Sequence, residues 1–151
     1  MPEGRGMIVP VTEENLMDAA RVHAAAWRES HRDICTPEFV AAHTARRQAD
    51  YLRRERAAGK ELWLLLSPGP VGIVSTWGDL IENLYVLPER QGLGYGGQLL
   101  RFAAARCPRP TLWVLSSNQF ACDWYRREGF RPTGAEKPLS GGLLERELRR
   151  E

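Results

Sequence analysis

The chain lacks most of the features that would set it apart from ordinary globular proteins. No apolar run approaches the roughly 20 residues a helix needs to cross a bilayer, so no membrane partner is expected. Met1 to Gly6 is polar and Gly-containing, without the apolar run of a secretory signal. Only three cysteines occur, Cys35, Cys107 and Cys122. They are far apart, odd in number and without zinc-ligand spacing, so neither a disulfide framework nor a metal site is expected. Free thiols of this kind suit a reducing cytoplasm. Charge of one sign is also missing, with 21 Lys and Arg against 19 Asp and Glu. The basic residues are interleaved with acidic ones, as in Arg53-Arg54-Glu55-Arg56, the pattern of a solvated helix face. That balance argues against nucleic acid as a partner. No internal repeat and no linker interrupts the chain.

What remains is enough for one core. The 151 residues are 43% hydrophobic, which suits a single domain over 1–151. Met7 to Val11 alternates and reads as a first strand. Thr12 offers an N-cap with Asn15 three positions on. From Glu13 to about Ser30, Leu16, Ala20, Ala24 and Trp27 recur at helical spacing. A second helix is expected from Thr36-Pro37 to Ala58, stopped by Gly59. Then the period changes. Glu61 to Ser67 is a continuous apolar run, followed across Ser-Pro-Gly-Pro by Val71 to Trp77, so the two read as a hairpin. Leu80 to Leu87 is a further strand, ended by Pro88. Gly94 to about Cys107 is helical, Thr111 to Leu115 is a short buried strand, and Asn118 to Glu128 is a helix closed by Gly129. Phe130 to Thr133 and Gly142 to Leu148 suggest two last strands. This order defines an α/β protein with a mixed sheet.

The most informative stretch is Leu84-Tyr85-Val86-Leu87-Pro88-Glu89-Arg90-Gln91-Gly92-Leu93-Gly94-Tyr95-Gly96-Gly97. A strand feeds a glycine loop, which feeds a helix. Glycines let backbone approach a ligand closely, and the helix start presents unpaired N–H groups and a positive dipole end. Together they suit a pyrophosphate. Gly92 to Gly97 also fits the dinucleotide pattern G-x-G-x-x-G. A dinucleotide site wants an acidic residue about 20 positions on, and Leu115-Ser116-Ser117-Asn118 offers none. A triphosphate loop needs Gly-Lys-Ser/Thr, which is absent. A glycine turn without a ligand stays open as an alternative.

This stretch resembles the acetyl-CoA signature of the GNAT superfamily of N-acetyltransferases, Gln/Arg-x-x-Gly-x-Gly/Ala, through Gln91, Gly94 and Gly96. A second segment, Asn118-Gln119-Phe120-Ala121-Cys122-Asp123-Trp124-Tyr125 with Gly129-Phe130, resembles the family's Asn-x-x-Ala-x-x-Phe-Tyr-x-x-x-Gly-Phe, with Trp124 in place of the usual Phe. The resemblance implies a mixed, mostly antiparallel central sheet, flanked by helices and splayed at the acetyl-CoA site. It implies that backbone N–H groups from Gln91 through Gly92, Leu93, Gly94, Tyr95 and Gly96 to Gly97 hold the coenzyme A pyrophosphate. Leu84, Tyr85 and Val86 would line the pantetheine, with the Val86 N–H as oxyanion donor, and Asn118 would bond the pantetheine arm. Tyr125 would protonate the departing sulfur. The acceptor would be a primary amine on a small molecule or peptide, acetyl-CoA the co-substrate and no metal required; family members are often dimers. A non-catalytic acyl-CoA-binding module is the alternative, and Tyr125 favours the enzyme.

The residues themselves suggest less about the acceptor. Glu82, Leu84 and Val86 alternate, so they are expected on one face, and Glu82 is a candidate general base beside ordered water. His23 falls on the apolar stripe of the first helix and reads as a hydrogen-bonded core histidine. Glu29 and His31 lie where the first two helices join and are weak candidates for holding the amine. Trp27 reads as core or pocket wall, His43 as surface, and Trp63, Trp77 and Trp113 as core.

Overall fold

The computed structural model describes residues 6–151. Seven strands form one sheet: β1 (Met7–Pro10), β2 (Glu61–Leu66), β3 (Pro70–Trp77), β4 (Leu80–Val86), β5 (Thr111–Leu115), β6 (Arg131–Pro138) and β7 (Leu144–Arg149). Their spatial order is β1-β2-β3-β4-β5-β7-β6. Every neighbouring pair is antiparallel except β4 and β5. Among the described residues five α-helices accompany the sheet: α1 (Leu16–His31), α2 (Pro37–Ala41), α3 (Ala45–Ala57), α4 (Tyr95–Ala105) and α5 (Gln119–Arg127). The expected sheet is therefore present, open at both edges and mostly antiparallel. No described helix is long and apolar enough to cross a membrane.

Each face of the sheet buries its own apolar cluster. On one face Leu16, Ala19, Ala20 and Val22 of α1 meet Ala49 and Leu52 of α3 over Leu62, Leu64 and Ile73. On the other, Leu99, Leu100 and Ala103 of α4 cover Val74, Ile81 and Val86, with Phe130 and Leu148 completing the cluster. Strand β3 is buried along Val71–Thr76 because both helical layers cover it. Gly72 lets α4 come this close. A Cβ there would sit 2.6 Å from Leu99 Cδ1 and 3.2 Å from the Tyr85 carbonyl oxygen.

Five expectations change. The helix expected from Pro37 to Ala58 is two helices, because Thr44 is extended at ψ 165° and its hydroxyl accepts from the Arg47 N–H as a new N-cap. That break carries His43 inward, where it is 8% exposed rather than on the surface. Trp77 ends β3 and is 56% exposed, so it is not core; the Lys60 ammonium lies 5.2 Å from its ring centroid. Trp63 and Trp113 are half-buried, each under a cation, Arg106 and Lys137 respectively. Strand β6 runs on to Pro138, well past Thr133. Its Pro, Gly and Lys content hid it from pattern reading and blunts it as an exposed edge.

Candidate active site

Two features of β4 shape the middle of the molecule. The first is a bulge. Ile73 pairs with Tyr85 and Ser75 with Glu82, so Asn83 and Leu84 together face one residue of β3. Asn83 has φ 54°, a left-handed conformation that Asn tolerates better than most residues. The extra residue changes the side-chain alternation. Glu82 and Asn83 both reach toward α1 and α3, bonding Lys60 and His23. Leu84 and Val86 belong to the opposite apolar cluster. The expectation that Glu82, Leu84 and Val86 share a face is thus overturned by a one-residue insertion in the ladder.

The second feature is the splay. β4 and β5 pair only at Leu80 and Thr111, beside a 2.8 Å bond from the Thr111 N–H to the Asp79 carbonyl. Further along, the strands part. The Leu87 N–H donates to Val71 of β3 at 2.9 Å. Backbone groups alternate along a strand, so the Val86 N–H points the other way, into the gap. The Val86 carbonyl, on that same side, accepts from Gln91 Nε2 at 3.1 Å.

The glycine loop sits at the mouth of this gap. Gly92 (φ 79°) and Gly94 (φ 90°) are left-handed, and Gly94 is the N-cap of α4. The first helical bond runs from the Gln98 N–H to the Gly94 carbonyl, so the amides of Gly96 and Gly97 have no helical acceptor. Leu93 is half-buried against the core. The Tyr95 side chain anchors the loop from below: it is buried, and its hydroxyl meets Ser67 Oγ at 2.7 Å and accepts from Arg90 at 3.0 Å. A Cβ on Gly96 would lie 3.7 Å from the Trp124 ring, so the two sequence motifs meet here.

Helix α5 closes the far side. Asn118 is exposed and caps it, its Oδ1 accepting from the Ala121 N–H at 3.1 Å. Tyr125 and Trp124 pack against the cluster that holds Leu84 and Leu93, their ring centroids 5.0 Å apart. Burial, and to a lesser extent Cys122, push the Tyr125 phenol up to about 12, so it stays protonated at neutral pH.

On the opposite face of β4 lies a cleft of about 300 Å³. His23, Trp27, His43, Tyr51, Asn83 and Tyr85 line its inner wall; Arg47, Gln48 and Arg54 of α3 complete it. His23 is 3% exposed, as its place on the apolar stripe suggested, but it also looks onto this cleft. Gln48 Nε2 donates to His23 Nδ1 at 2.8 Å, which leaves the Nε2 proton to bond Asn83 Oδ1 at 3.0 Å. Asn83 Nδ2 donates to Ser75 Oγ, which donates to the Glu82 carbonyl. This chain of bonds pins the bulge. Burial lowers the His23 pKa; the Asn83 bond opposes that, and His43 and His31 add to it, so the ring is neutral. The Tyr51 hydroxyl lies 3.1 Å from Glu55 and 3.3 Å from Asn83, and burial raises its pKa.

Trp27 is a pocket wall, stacked with His43 (3.6 Å between centroids) and His31 (4.0 Å). His31 and Glu29 do not line the cleft; Glu29 pairs with Arg32. Glu82 is held by Lys60 at 2.8 Å, and Glu55 shares the same ammonium at 2.7 Å. Burial works against the Lys60 charge, but its bonds to the two carboxylates outweigh that and raise its pKa. Pattern reading missed Gln48, Tyr51, Asn83 and the two arginines. Arg47, Tyr51 and Arg54 fall at i, i+4 and i+7 of one helix, a stripe that was visible once α3 was known to start at Ala45. Among the described residues, no group of His, Cys, Asp and Glu is placed to hold a metal.

An open mixed α/β sheet that parts around a left-handed glycine turn, with a tyrosine helix beyond, is a fold this chain shares with solved structures. The chain superposes on a GCN5-related N-acetyltransferase from Rhodopseudomonas palustris with TM-score 0.73, at 21% identity, covering all of this chain and 98% of that one. It superposes on the PaiA N-acetyltransferase of Thermoplasma acidophilum, solved with coenzyme A, with TM-score 0.71 at 16% identity, covering 95% and 98%. Among curated proteins it is 29% identical over 101 residues to the peptidyl-lysine N-acetyltransferase YjaB of Escherichia coli K12, covering 66% of this chain and 68% of that one. Residues 57–132 match the acetyltransferase (GNAT) domain model, and the chain belongs to that family.

Proposed function

We propose that the whole chain, 1–151, acts as one acetyltransferase domain in the cytoplasm, moving an acetyl group from acetyl-CoA to a primary amine of a small molecule or peptide. The observation that carries this reading is the glycine turn of Gly92 and Gly94 placed at the parting of β4 and β5. Amides from Gln91 to Gly97 hold the diphosphate, with the dipole of α4 adding to them. The pantetheine lies along Leu84, Tyr85 and Val86, within reach of Asn118. PaiA, of like fold, was solved with coenzyme A.

The chemistry is direct attack. The neutral amine nitrogen forms a bond to the thioester carbonyl carbon, and the Val86 N–H, facing the gap, stabilises the oxygen as it gains charge. The C–S bond then breaks, and Tyr125 gives its proton to the sulfur. A buried phenol with a raised pKa is a protonated donor at neutral pH. The proton lost by the amine passes to water in the open cleft. Glu82, the candidate base, serves here as a counter-ion to Lys60.

The test measures thiol release from acetyl-CoA with a panel of amines. Wild type should turn over, and Tyr125→Phe should lower kcat by about 100-fold or more with little change in the KM for acetyl-CoA. Coenzyme A binding without turnover on any amine would replace this reading with that of an acyl-CoA-binding module.

A further inference from the structure

The acceptor cleft has a charge pattern that the transfer reaction alone does not require. Four of the five arginines of helix α3 fall into two kinds. Arg53 and Arg56 turn toward Glu13, at 3.1 and 3.3 Å, and are neutralised there. Arg47 and Arg54 lie two turns apart on the face that lines the cleft. Among the described residues, no carboxylate lies within 4.0 Å of either of these two guanidinium groups. The carboxylates nearest the cleft, Glu55 and Glu82, are both committed to Lys60. His23 lends the cleft no charge of its own, since burial favours its neutral form. The rim is therefore cationic and uncompensated, while the wall beneath it is aromatic: Trp27, Tyr51 and Tyr85.

We propose that the Arg47 and Arg54 pair is an anion subsite, and that the acceptor is a small primary amine carrying a carboxylate and an apolar or aromatic body, in the manner of an amino acid. This rests on the acetyl-transfer reading. A guanidinium presents a planar fork of donors matched to a carboxylate, and such charge-assisted bonds are the stronger ones. The aromatic wall takes the apolar body. The cleft, at about 300 Å³, is at the small-molecule end of ligand sites, which span roughly 300–1,000 Å³. The positive field also disfavours the ammonium form of the bound amine, so the nucleophile reaches its neutral state without a carboxylate base beside it. A free lysine side chain with basic neighbours is the poorest match to such a rim.

The experiment compares matched acceptors that differ by the carboxylate alone: L-phenylalanine with phenethylamine, and L-leucine with isoamylamine. The readout is the ratio of kcat/KM within each pair, in wild type and in Arg47→Gln/Arg54→Gln. Taking that ratio across the variants cancels the intrinsic difference in amine basicity. The double variant should lower the ratio by about tenfold or more, and added salt should lower it in wild type. Arg53→Gln, which removes a positive charge outside the cleft, should leave the ratio unchanged. Coenzyme A affinity by calorimetry verifies that the variants are folded. A ratio indifferent to Arg47 and Arg54 overturns the subsite, as does preferential turnover of a lysine peptide with neutral flanks over both amino acids. Calorimetry with L-phenylalanine and the coenzyme A-loaded protein separates this from the reading beneath it. Carboxylate-selective binding without turnover keeps the subsite and overturns acetyl transfer; turnover without selectivity does the reverse.

Discussion

The two faces of β4 are built from different materials. On the side of α4 and α5, the elements proposed to recognise the coenzyme are main-chain: the Gly92 and Gly94 turn, the helix start, and the Val86 N–H in the gap. Side chains there, such as Tyr95 and Gln91, act as braces behind the backbone. On the side of α1 and α3 the order is reversed. The backbone is braced by regular packing, and the cleft is made of side chains: His23, Tyr51, Asn83 and the arginines. A site made of backbone suits a ligand whose anionic part never changes. A site made of side chains can be rewritten for each acceptor without disturbing the first. The bulge at Asn83 joins the two, because it turns Leu84 toward one site while its own side chain reaches into the other.

If this division holds, damage to one face should spare the other. The largest effect is expected at Gly94. Val cannot hold φ 90° without strain of about 1–3 kcal/mol, and this residue is exposed, so the loop relieves the strain by rearranging rather than by unfolding the core. Gly94→Val should weaken coenzyme A binding by about tenfold to hundredfold in calorimetry, with the urea midpoint held nearly constant. A variant that loses stability but keeps its affinity would show that the turn is structural and the comparison false.

A middle-sized effect is expected at the joint. Asn83→Ala removes the acceptor of the His23 Nε2–H and the donor to Ser75 Oγ, and places Ala at φ 54°. The cost should be about 2 kcal/mol, read as a lower urea midpoint. Both substrates should bind more weakly, since both sites meet at the bulge. An effect confined to the amine KM would mean that the bulge serves the acceptor side alone.

The same contrast explains what could be read from the residues in order. A backbone site is local, so Gln91, Gly94 and Gly96 announced the turn, and the boundaries of β5 and α5 fell where pattern placed them. A side-chain site is assembled across distance. His23, Gln48 and Asn83 come from three elements, and nothing in any one of them reveals the other two. The break at Ala42–Thr44 depends on a single threonine cap that competes with an otherwise good helical pattern, and the inward turn of His43 follows from it. The Asn83 bulge is a one-residue insertion that alternation cannot see, and it is why Glu82 ended on the other face from Leu84. The glycine-turn side of β4 was therefore legible to the level of individual residues in its backbone geometry, and the cleft side only to the level of helices.

The smallest expected effect tests the electrostatics of the acceptor face alone. His23 has its pKa lowered below 6.5, by burial above all, and His31 is shifted the same way. In the unfolded chain both rings take up a proton as pH falls through about 6.5, while the folded protein resists. The unfolded state then binds more protons, so stability falls as pH drops below that point and stops falling once the folded rings also charge. Above it, the contribution of the neutral rings is fully present. Urea midpoints should therefore decline from pH 7.5 to pH 5.5, a window above most carboxylate titrations. His23→Gln should be less stable at pH 7.5, because Gln fills the ring's place poorly, yet show a shallower decline, the remainder belonging to His31. A decline as steep in His23→Gln as in wild type would mean that the ring is not held neutral between Gln48 and Asn83. The cleft would then carry a charge of its own, and the cationic rim of Arg47 and Arg54 would not be its only source of field.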